Sequence, residues 1–158
     1  MNIQYIYIGS DHGGFALKET LAPWLVQFAP VQDLGAEELN EDDDYPVFAQ
    51  RVAQAVMSAT ETATTDPQHL GVLVCRTGVG MSMVANRFPH VRAAVCRNQE
   101  DARLARAHNN ANVLILEGDR VELNEAKAIA QVFLSTQFEG GRHARRLDQM
   151  AALDSKQA

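Results

Sequence analysis

The residues best suited to chemistry follow one short apolar run, Leu70–Val74, which has the composition of a strand. Cys75 comes next, and after it comes a turn that contains Thr77, Gly78, Val79 and Gly80. In an open α/β sheet, ligands bind at the carboxyl ends of the strands, and the N–H groups at the start of a following helix favour an anion. A thiol beside such an anion cradle indicates acid–base chemistry on a small negatively charged or enolising substrate. The alternative is a tight strand-to-helix turn with a buried structural cysteine.

Polar side chains also follow the other predicted strands, at the same edge of the sheet. They are Asp11 and His12 after the first strand, Cys96, Arg97 and Asn98 after the fourth, and Asp119 and Arg120 after the fifth. Asp11 is open to a second interpretation, in which it only accepts hydrogen bonds from backbone N–H groups of its own turn.

Histidines and arginines near helix ends are further candidates. His108 lies near a helix C-terminus, where it either does chemistry or simply interacts with the helix dipole. Arg142 and Arg146 are one helical turn apart, so they form a two-arginine anion clamp or are solvated. His69 and His90 stand just before strands and are interpreted as surface residues. The acidic run 42–44 lacks the spacing of a calcium loop and is predicted to be a solvated loop.

Alternating strands and helices must position these side chains. The predicted strands are Ile3–Ile8, Val31–Leu34, Leu70–Val74, Val91–Val95 and Asn112–Leu116. The predicted helices are Phe15–Phe28, Val47–Ala59, a third ending at Phe88, a fourth capped by Asn98 and running to Ala107, Asn124–Thr136, and a last one running to Leu153. Short strands that are apolar throughout belong in a parallel sheet covered on both faces. We therefore expect a Rossmann-like, three-layer α/β/α sandwich with a five-stranded parallel sheet, as a single domain over residues 1–158 with the last few residues frayed.

The composition excludes some classes of partner. The chain has 158 residues, of which 46% are hydrophobic and 22% charged, and its net charge is −6. That charge argues against nucleic acid, because phosphate-backbone binding relies on a basic face. The two cysteines have no zinc-site or disulfide spacing, and no leader or apolar run of membrane-spanning length is present. A cytoplasmic enzyme with no membrane partner is the expectation.

Six motifs resemble one family, in order, over nearly the whole chain. They are GSDHGGF (9–15), DYP (44–46), VCRTGVGMSMVANRF (74–88), VRAAVC (91–96), AHNNANVL (107–114) and FEGGRHARRL (138–147). Together they closely resemble the ribose-5-phosphate isomerase B family, which also contains galactose-6-phosphate isomerase subunits and allose-6-phosphate isomerases.

The resemblance implies an aldose–ketose isomerase of a phosphorylated sugar that works through a cis-enediolate, without a metal or a cofactor. The default substrate pair is ribose 5-phosphate and ribulose 5-phosphate. Cys75 matches the family's catalytic base, and a helix N-terminus with local N–H groups is expected to lower its pKa. His108 matches the histidine that assists ring opening, with Thr77 in a supporting role. Asp11 matches a substrate-site position and is counted with the catalytic group.

The resemblance also implies a set of substrate-binding positions. The backbone N–H groups of the glycine turn would stabilise the enediolate, Asn109 would bind a sugar hydroxyl, and arginines would bind the phosphate. The full set is His12, Tyr45, Gly78, Val79, Gly80, Asn109, Arg120, Arg142, His143 and Arg146. The family implies a homodimer or homotetramer whose site is built from both subunits at their interface.

The chain departs from the family pattern at three places. Arg76 stands where the family usually has glycine, which opens the question of the substrate. The segment from His108 to Arg120 is one residue longer than usual, so Arg120 matches a phosphate ligand only if a bulge around Glu117 absorbs the extra residue. Pro23 interrupts the first helix and is expected to kink or split it.

Three alternatives to a ribose-5-phosphate isomerase remain open from the sequence. One is an isomerase of a hexose 6-phosphate, either allose or galactose 6-phosphate. Another is a non-catalytic, sugar-phosphate-binding subunit. The third is a flavodoxin-like nucleotide or signalling module, although the turn lacks the dinucleotide and P-loop patterns.

Overall fold

The computed structural model describes residues 2–60 and 66–154. Its strands are β1 (Tyr5–Ser10), β2 (Val31–Asp33), β3 (His69–Cys75), β4 (Ala93–Val95) and β5 (Val113–Glu117). Its helices are α1 (Phe15–Leu25), α2 (Tyr45–Ser58), α3 (Val79–Ala85), α4 (Gln99–Asn109), α5 (Leu123–Ser135) and α6 (Arg142–Asp154), with a 3-10 turn at His12–Gly14. The predicted fraying falls on residues 155–158, which lie outside the described residues. Among the described helices, none has the length and hydrophobicity needed to cross a membrane.

The five strands form one parallel sheet in the order β2-β1-β3-β5-β4. The crossover connections that contain α1 and α4 run in one direction across the sheet. Those that contain α2 and α3 run in the opposite direction. Because parallel crossovers are right-handed, the two directions place their helices on opposite faces. The packing agrees, since α1, α4 and α5 cover one face and α2 and α3 cover the other. The predicted three-layer, Rossmann-like architecture is confirmed.

Each face of the sheet has its own apolar core, because strand side chains alternate between the faces. Ile6 and Ile8 of β1 pack toward α1, α4 and α5, where Phe133 is fully buried. Leu73 and Cys75 of β3 point to the other face and pack with α2 and α3. Cys75 therefore belongs to the core beneath α2 and α3, at the point where β3 ends.

Helix boundaries differ from the predicted ones where proline is involved. α1 continues through Pro23 and ends at Leu25, so of the predicted kink or split the split is wrong, and so is the predicted end at Phe28. α2 begins at Tyr45, earlier than predicted, because Pro46 occupies its first turn, where a missing N–H costs nothing. The predicted cap at Asn98 is confirmed, since its Oδ1 accepts a hydrogen bond from Asp101 N–H at 2.9 Å.

The described β3–β5 pairing contains no bulge of the kind that would let Arg120 match the family's phosphate arginine. The β3–β5 register runs without a slip from Gly71 opposite Val113 to Cys75 opposite Glu117. Arg120 lies at the end of the turn that follows β5.

The two histidines before strands are not surface residues. His69 is half-buried, its ring stacks against Tyr5 and Tyr7, and its Nδ1 lies 3.0 Å from Tyr7 Oη. His90 is also half-buried and has a positive φ of 64°. Both residues belong to the packing at the amino edge of the sheet.

Candidate active site

A crevice forms between the carboxyl ends of β1 and β3, because the chain leaves these neighbouring strands toward opposite faces of the sheet. Such a switch point is the usual ligand site of an open α/β sheet. Asp11 follows β1 directly and Cys75 ends β3. Asp11 Oδ2 lies 3.5 Å from Cys75 Sγ, and both residues are buried, with exposed fractions of 4% and 7%. The sheet topology thus brings a carboxylate and a thiol together.

The two oxygens of Asp11 have separate partners. Oδ1 accepts a hydrogen bond from Gly14 N–H at 3.2 Å, and Oδ2 faces the Cys75 thiol. A Cβ at Gly14 would collide with the carbonyl of Val74, so only glycine lets this turn lie against β3. Asp11 therefore caps its own turn and also contacts the thiol, so it does more than accept hydrogen bonds from its own turn.

The pKa of Cys75 is raised above its ordinary value, contrary to the expectation from the glycine turn. Burial is the largest cause, followed by the charge of Asp11 and the hydrogen bond to it. The backbone N–H groups of Gly78 and Thr77 act in the opposite direction but are outweighed. In the resting protein Cys75 is a protonated thiol that donates to Asp11.

The glycine turn takes a left-handed backbone conformation just before α3. Gly78 has a φ of +70° and precedes α3, and Thr77 Oγ1 accepts a hydrogen bond from Val79 N–H at 3.4 Å. A Cβ at Gly80 would lie 2.6 Å from Tyr45 Cζ, so the Tyr45 ring lies against the turn. Five predicted site residues therefore gather beside Cys75. They are Thr77, Gly78, Val79, Gly80 and Tyr45.

His12 is held by an acidic residue that the sequence did not single out. Asp43 Oδ1 lies 2.6 Å from His12 Nδ1 and also accepts a hydrogen bond from His12 N–H at 3.0 Å. The hydrogen bond to Asp43 is the main reason that the pKa of His12 is raised, and Asp11 adds to the effect. Burial and Arg76 partly oppose it. Asp43 was predicted to lie in a solvated loop, yet its side chain is only 9% exposed.

A second polar group forms around His108. The rings of His108 and His143 stack with centroids 4.2 Å apart, and their Nε2 atoms lie 3.7 and 3.8 Å from Glu139 Oε2. Glu139 N–H donates to Ala107 O at 3.0 Å, which fixes the loop beside the end of α4. Burial is the main reason that the pKa of His143 is lowered, and the charges of His108 and Arg142 add to it. Glu139 is the second functional candidate that sequence reasoning missed.

The two polar groups lie at opposite edges of the sheet within one chain. α4 begins after the carboxyl end of β4, runs back along the sheet and ends at Asn109, shortly before β5 starts. Arg92, at the start of β4, confirms this placement, because its Nε donates to the carbonyls of Asn109 and Asn110 at 3.2 and 2.9 Å. His108 is therefore at the amino edge and Cys75 at the carboxyl edge.

A family model described as Ribose/Galactose Isomerase matches residues 6–150. The chain belongs to this family. It is similar to the probable ribose-5-phosphate isomerase B of Mycoplasma pneumoniae, with 42% identity over 150 residues that cover 94% of each chain. It is also similar to the ribose-5-phosphate isomerase B of Escherichia coli, with 39% identity over 152 residues, 96% of this chain and 97% of that one.

Solved structures of the family give the same result. The ribose-5-phosphate isomerase B of Mycoplasma genitalium with bound ribulose-5-phosphate has a TM-score of 0.90 at 40% identity, with 96% of this chain and 97% of that chain covered. The Thermotoga maritima ribose 5-phosphate isomerase has a TM-score of 0.84 at 42% identity, with 94% and 98% covered. The protein is an aldose–ketose isomerase of the ribose/galactose isomerase family.

The arginines that could bind a phosphate are divided between the two edges. Arg142 and Arg146 lie in the first turns of α6, near His108 at the amino edge. Arg120 lies at the carboxyl edge, where its Nη1 is 3.7 Å from Glu117 Oε1. Arg76, the residue unusual for the family, also lies at the carboxyl edge. Its stem covers Gly13 and its Nη1 is 3.8 Å from Asp119 Oδ2.

Two groups in the described part of the chain combine histidine and carboxylate ligand atoms within 4.8 Å of one another. They are Asp11, His12 and Asp43, and His108, Glu139 and His143. In the first group His12 Nδ1 is already hydrogen-bonded to Asp43, and in the second the Nε2 atoms of both rings lie 3.7 and 3.8 Å from Glu139 Oε2. Both groups are therefore arranged as acid–imidazole pairs.

Proposed function

We propose that this enzyme interconverts ribose 5-phosphate and ribulose 5-phosphate through a cis-enediolate, with Cys75 as the base. The observation that carries the proposal is the Cys75 thiol, 3.5 Å from the Asp11 carboxylate and beside the glycine turn at the switch point of the sheet. Relatives named ribose-5-phosphate isomerase B, one of them with bound ribulose-5-phosphate, support the choice of sugar.

The chemistry begins with a proton transfer from Cys75 to Asp11 Oδ2. The resulting thiolate removes the proton from C2 of the open-chain aldose, and the electron pair of that C–H bond forms the C1–C2 double bond as the aldehyde oxygen becomes an oxyanion. A proton then passes from the C2 hydroxyl to this oxygen, and Cys75 returns its proton to C1 to give the ketose. Asp11 finally returns the first proton to the Cys75 thiolate, which restores the resting pair. A thiolate whose conjugate acid has a raised pKa is a strong base, which suits a weak carbon acid.

The glycine turn is proposed to stabilise the enediolate oxyanion. The backbone N–H groups of Gly78, Val79 and Gly80 lie at the start of α3, where they have no intrahelical partner, although Gly78 N–H acts on Cys75 and Val79 N–H donates to Thr77 Oγ1. Loss of one oxyanion donor in other enzymes costs about 100- to 1000-fold in rate. The turn should therefore contribute as much to catalysis as the base.

We further propose that two subunits complete each site. Support comes from the positions of Cys75 and His108 at opposite edges, since the sugar cannot contact both within one chain. One subunit would supply the Cys75 group, and the other would supply the ring-opening His108 with the residues near it. Those residues are Asn109, Arg142, His143 and Arg146. A groove of about 1000 Å³ between β4, α4 and α6, with Leu104 and Met150 in its wall and Asn109 at its margin, offers an interface for the second copy.

The first experiment measures isomerisation of ribose 5-phosphate by the wild type, Cys75→Ala and Cys96→Ala. We expect turnover by the wild type and by Cys96→Ala, whose thiol is buried outside the site, and its loss in Cys75→Ala. Allose 6-phosphate and galactose 6-phosphate are assayed alongside. Turnover of only a hexose phosphate would keep the mechanism and change the substrate, whereas no turnover at all would favour a sugar-phosphate-binding subunit.

A complementation experiment tests the shared site. Cys75→Ala and His108→Ala are each inactive in this proposal, but a mixed dimer of the two contains one intact site. We therefore expect subunit exchange between the two variants to restore activity. A mixture that exchanges subunits and stays inactive would place both residues in one chain's site.

A further inference from the structure

We propose that Asp43 is a positioning residue that holds His12 as a hydrogen-bond donor to the sugar phosphate. The proposal rests on the proposed function, and it adds a carboxylate–imidazole pair beside the Asp11–Cys75 pair. His12 Nδ1 and His12 N–H both bond to Asp43 Oδ1, at 2.6 and 3.0 Å.

The two hydrogen bonds fix both the backbone and the ring of His12. Because Asp43 is acceptor-only when ionised, the ring nitrogen that faces it must carry a proton. That assigns the Nδ1 proton and leaves Nε2 as the one ring nitrogen available to a ligand. His12 remains 22% exposed, so the ring keeps an open edge while Asp43, at 9%, is shielded from water.

The burial of Asp43 indicates which protonation state of His12 the pair favours. Asp43 Oδ2 is buried and has no hydrogen-bond partner among the described protein atoms. A buried carboxylate with one oxygen left unpaired is costly unless a nearby positive charge stabilises it. His12 is the partner in contact with this carboxylate, so the pair is most stable with His12 as an imidazolium.

The charges around His12 agree with this assignment. Asp43 approaches from the loop before α2 and Asp11 from the same turn, and both favour the protonated ring. Arg76, at the end of β3, and burial of the ring both oppose it. Because the hydrogen bond to Asp43 is the largest contribution, the pKa of His12 is raised overall. A protonated His12 presents Nε2–H and a positive charge, which suit a phosphate or sugar oxygen.

The loop that carries Asp43 has other hydrogen bonds, one of them to the end of β1, that an Asp43→Asn substitution leaves in place. Ala36 N–H donates to Ser10 O at 3.1 Å, and Asp43 N–H donates to Asn40 O at 3.1 Å. Asp42 N–H donates to Asn40 Oδ1 at 3.1 Å. An Asp43→Asn variant should therefore keep the loop and lose the charge. Asp42→Asn is the matched control, because Asp42 is exposed in the same loop.

The first test is an NMR titration of the imidazole nitrogens of His12 in full-length protein, with His12→Gln used to assign the signals. We expect wild-type His12 to keep its Nδ1 proton and to titrate above free histidine, and Asp43→Asn to lower that pKa. Asp42→Asn should match the wild type. Wild-type His12 that titrates like free histidine would overturn the proposal without any variant, as would an unchanged titration in Asp43→Asn.

The second test is the pH profile of kcat/KM for ribose 5-phosphate. We expect Asp43→Asn to lower kcat/KM by about 10- to 100-fold, the range seen when a carboxylate that orients a metal-bound histidine is removed. The alkaline limb governed by His12 should move to lower pH, and Asp43→Glu should restore part of the loss. If kcat/KM falls by the same factor at every pH and the alkaline limb does not shift, Asp43 has a merely structural role. If the wild type turns over no sugar phosphate, the proposed function fails while the titration still decides the His12–Asp43 pair.

Discussion

The imidazole rings of His108 and His143 lie face to face, with centroids 4.2 Å apart and planes inclined by 7°. Two stacked imidazolium ions would repel each other, and Glu139 Oε2 lies 3.7 and 3.8 Å from the Nε2 atoms of the two rings. Burial is the main reason that the pKa of His143 is lowered, and the charge of His108 adds to it, so the neutral form of His143 is favoured. It serves as a flat support for the ring of His108.

This arrangement predicts a loss of stability in mild acid. The pKa of His143 is lower in the folded protein than its ordinary value of 6.5, so the unfolded chain binds more protons as the pH falls below that value. His143→Phe keeps a flat ring that does not titrate. We expect the free energy of unfolding of the wild type to fall relative to the variant when urea unfolding is compared at about pH 7.5 and about pH 5.5. His12, whose pKa is shifted in the opposite direction, is present in both proteins, so its contribution to the pH dependence of the free energy of unfolding cancels. Parallel pH dependences would contradict the prediction.

Removal of the Asp11 carboxylate should make Cys75 react faster with an alkylating reagent and should slow isomerisation. The charge of Asp11 and its hydrogen bond both raise the pKa of the thiol, so Asp11→Asn should ionise Cys75 more readily at neutral pH. Alkylation by iodoacetamide should then be faster than in the wild type. Isomerisation should nevertheless fall, because the acceptor of the thiol proton is gone.

The control for this experiment is Cys96, the other cysteine. Burial raises the pKa of Cys96 to about 12, so it should react slowly, and Cys96→Ser removes its contribution to the labelling. Slower or unchanged alkylation of Cys75 in Asp11→Asn would show that Asp11 does not suppress the thiolate.

A comparison of two glycines that both have a positive φ separates the cost of backbone strain from the cost of a steric clash. Gly78 and Gly140 have φ values of +70° and +67°. A Cβ at Gly78 would lie 2.8 Å from Ile115 Cγ2, whereas one at Gly140 meets no described atom within 4 Å. Gly140→Ala should therefore cost only the left-handed backbone penalty, about 1–2 kcal/mol. Gly78→Ala should cost more in urea unfolding and should also impair isomerisation. Equal losses in the free energy of unfolding would mean that the structure around Ile115 moves to accept the new Cβ at no added cost.

The carboxyl-edge half of the site could be predicted from the sequence because it depends on strand ends. Alternating strands and helices fix which residues follow β1 and β3, so Asp11 and Cys75 were expected at one edge. The direction of the Cys75 pKa shift could not be predicted, because it depends on burial and on the distance to Asp11. Local signals, the glycines and the helix start, indicated the opposite direction.

The residues that were missed are acidic side chains in loops. Asp43 and Glu139 lie in polar segments that resemble solvated loops, and each contacts a histidine distant in sequence, His12 and His108. No spacing rule connects a loop carboxylate to a histidine across the fold. The adjacent DYP and EGGRH motifs were the one available signal, and they indicated the region without indicating the partner.

A buried arginine is predicted to hold the His108 group in place. The Arg106 side chain is fully buried, and its Nη1 donates to Asn110 Oδ1 and Ala111 O, each at 2.7 Å. Its Nη2 lies 3.1 Å from Asp66 Oδ1, which also accepts a hydrogen bond from Phe138 N–H at 3.1 Å. Burial lowers the pKa of Arg106 to about 10, so the guanidinium stays charged at neutral pH. Arg106 thus connects the end of α4 to the chain just before Glu139.

Arg106→Met should therefore destabilise the fold and impair catalysis together. Removal of one partner of a buried ion pair costs about 3–5 kcal/mol, and solvent at Asp66, which is one-third exposed, should bring this case to the lower end of that range. The kcat for ribose 5-phosphate should fall as well, because Glu139 would no longer be fixed beside His108. Arg103→Met is the matched control for stability on the same helix, since Arg103 is exposed and pairs with Glu100 at the surface, and it should change urea unfolding little. Equal effects of the two substitutions would show that the network around Arg106 does not position the His108 group.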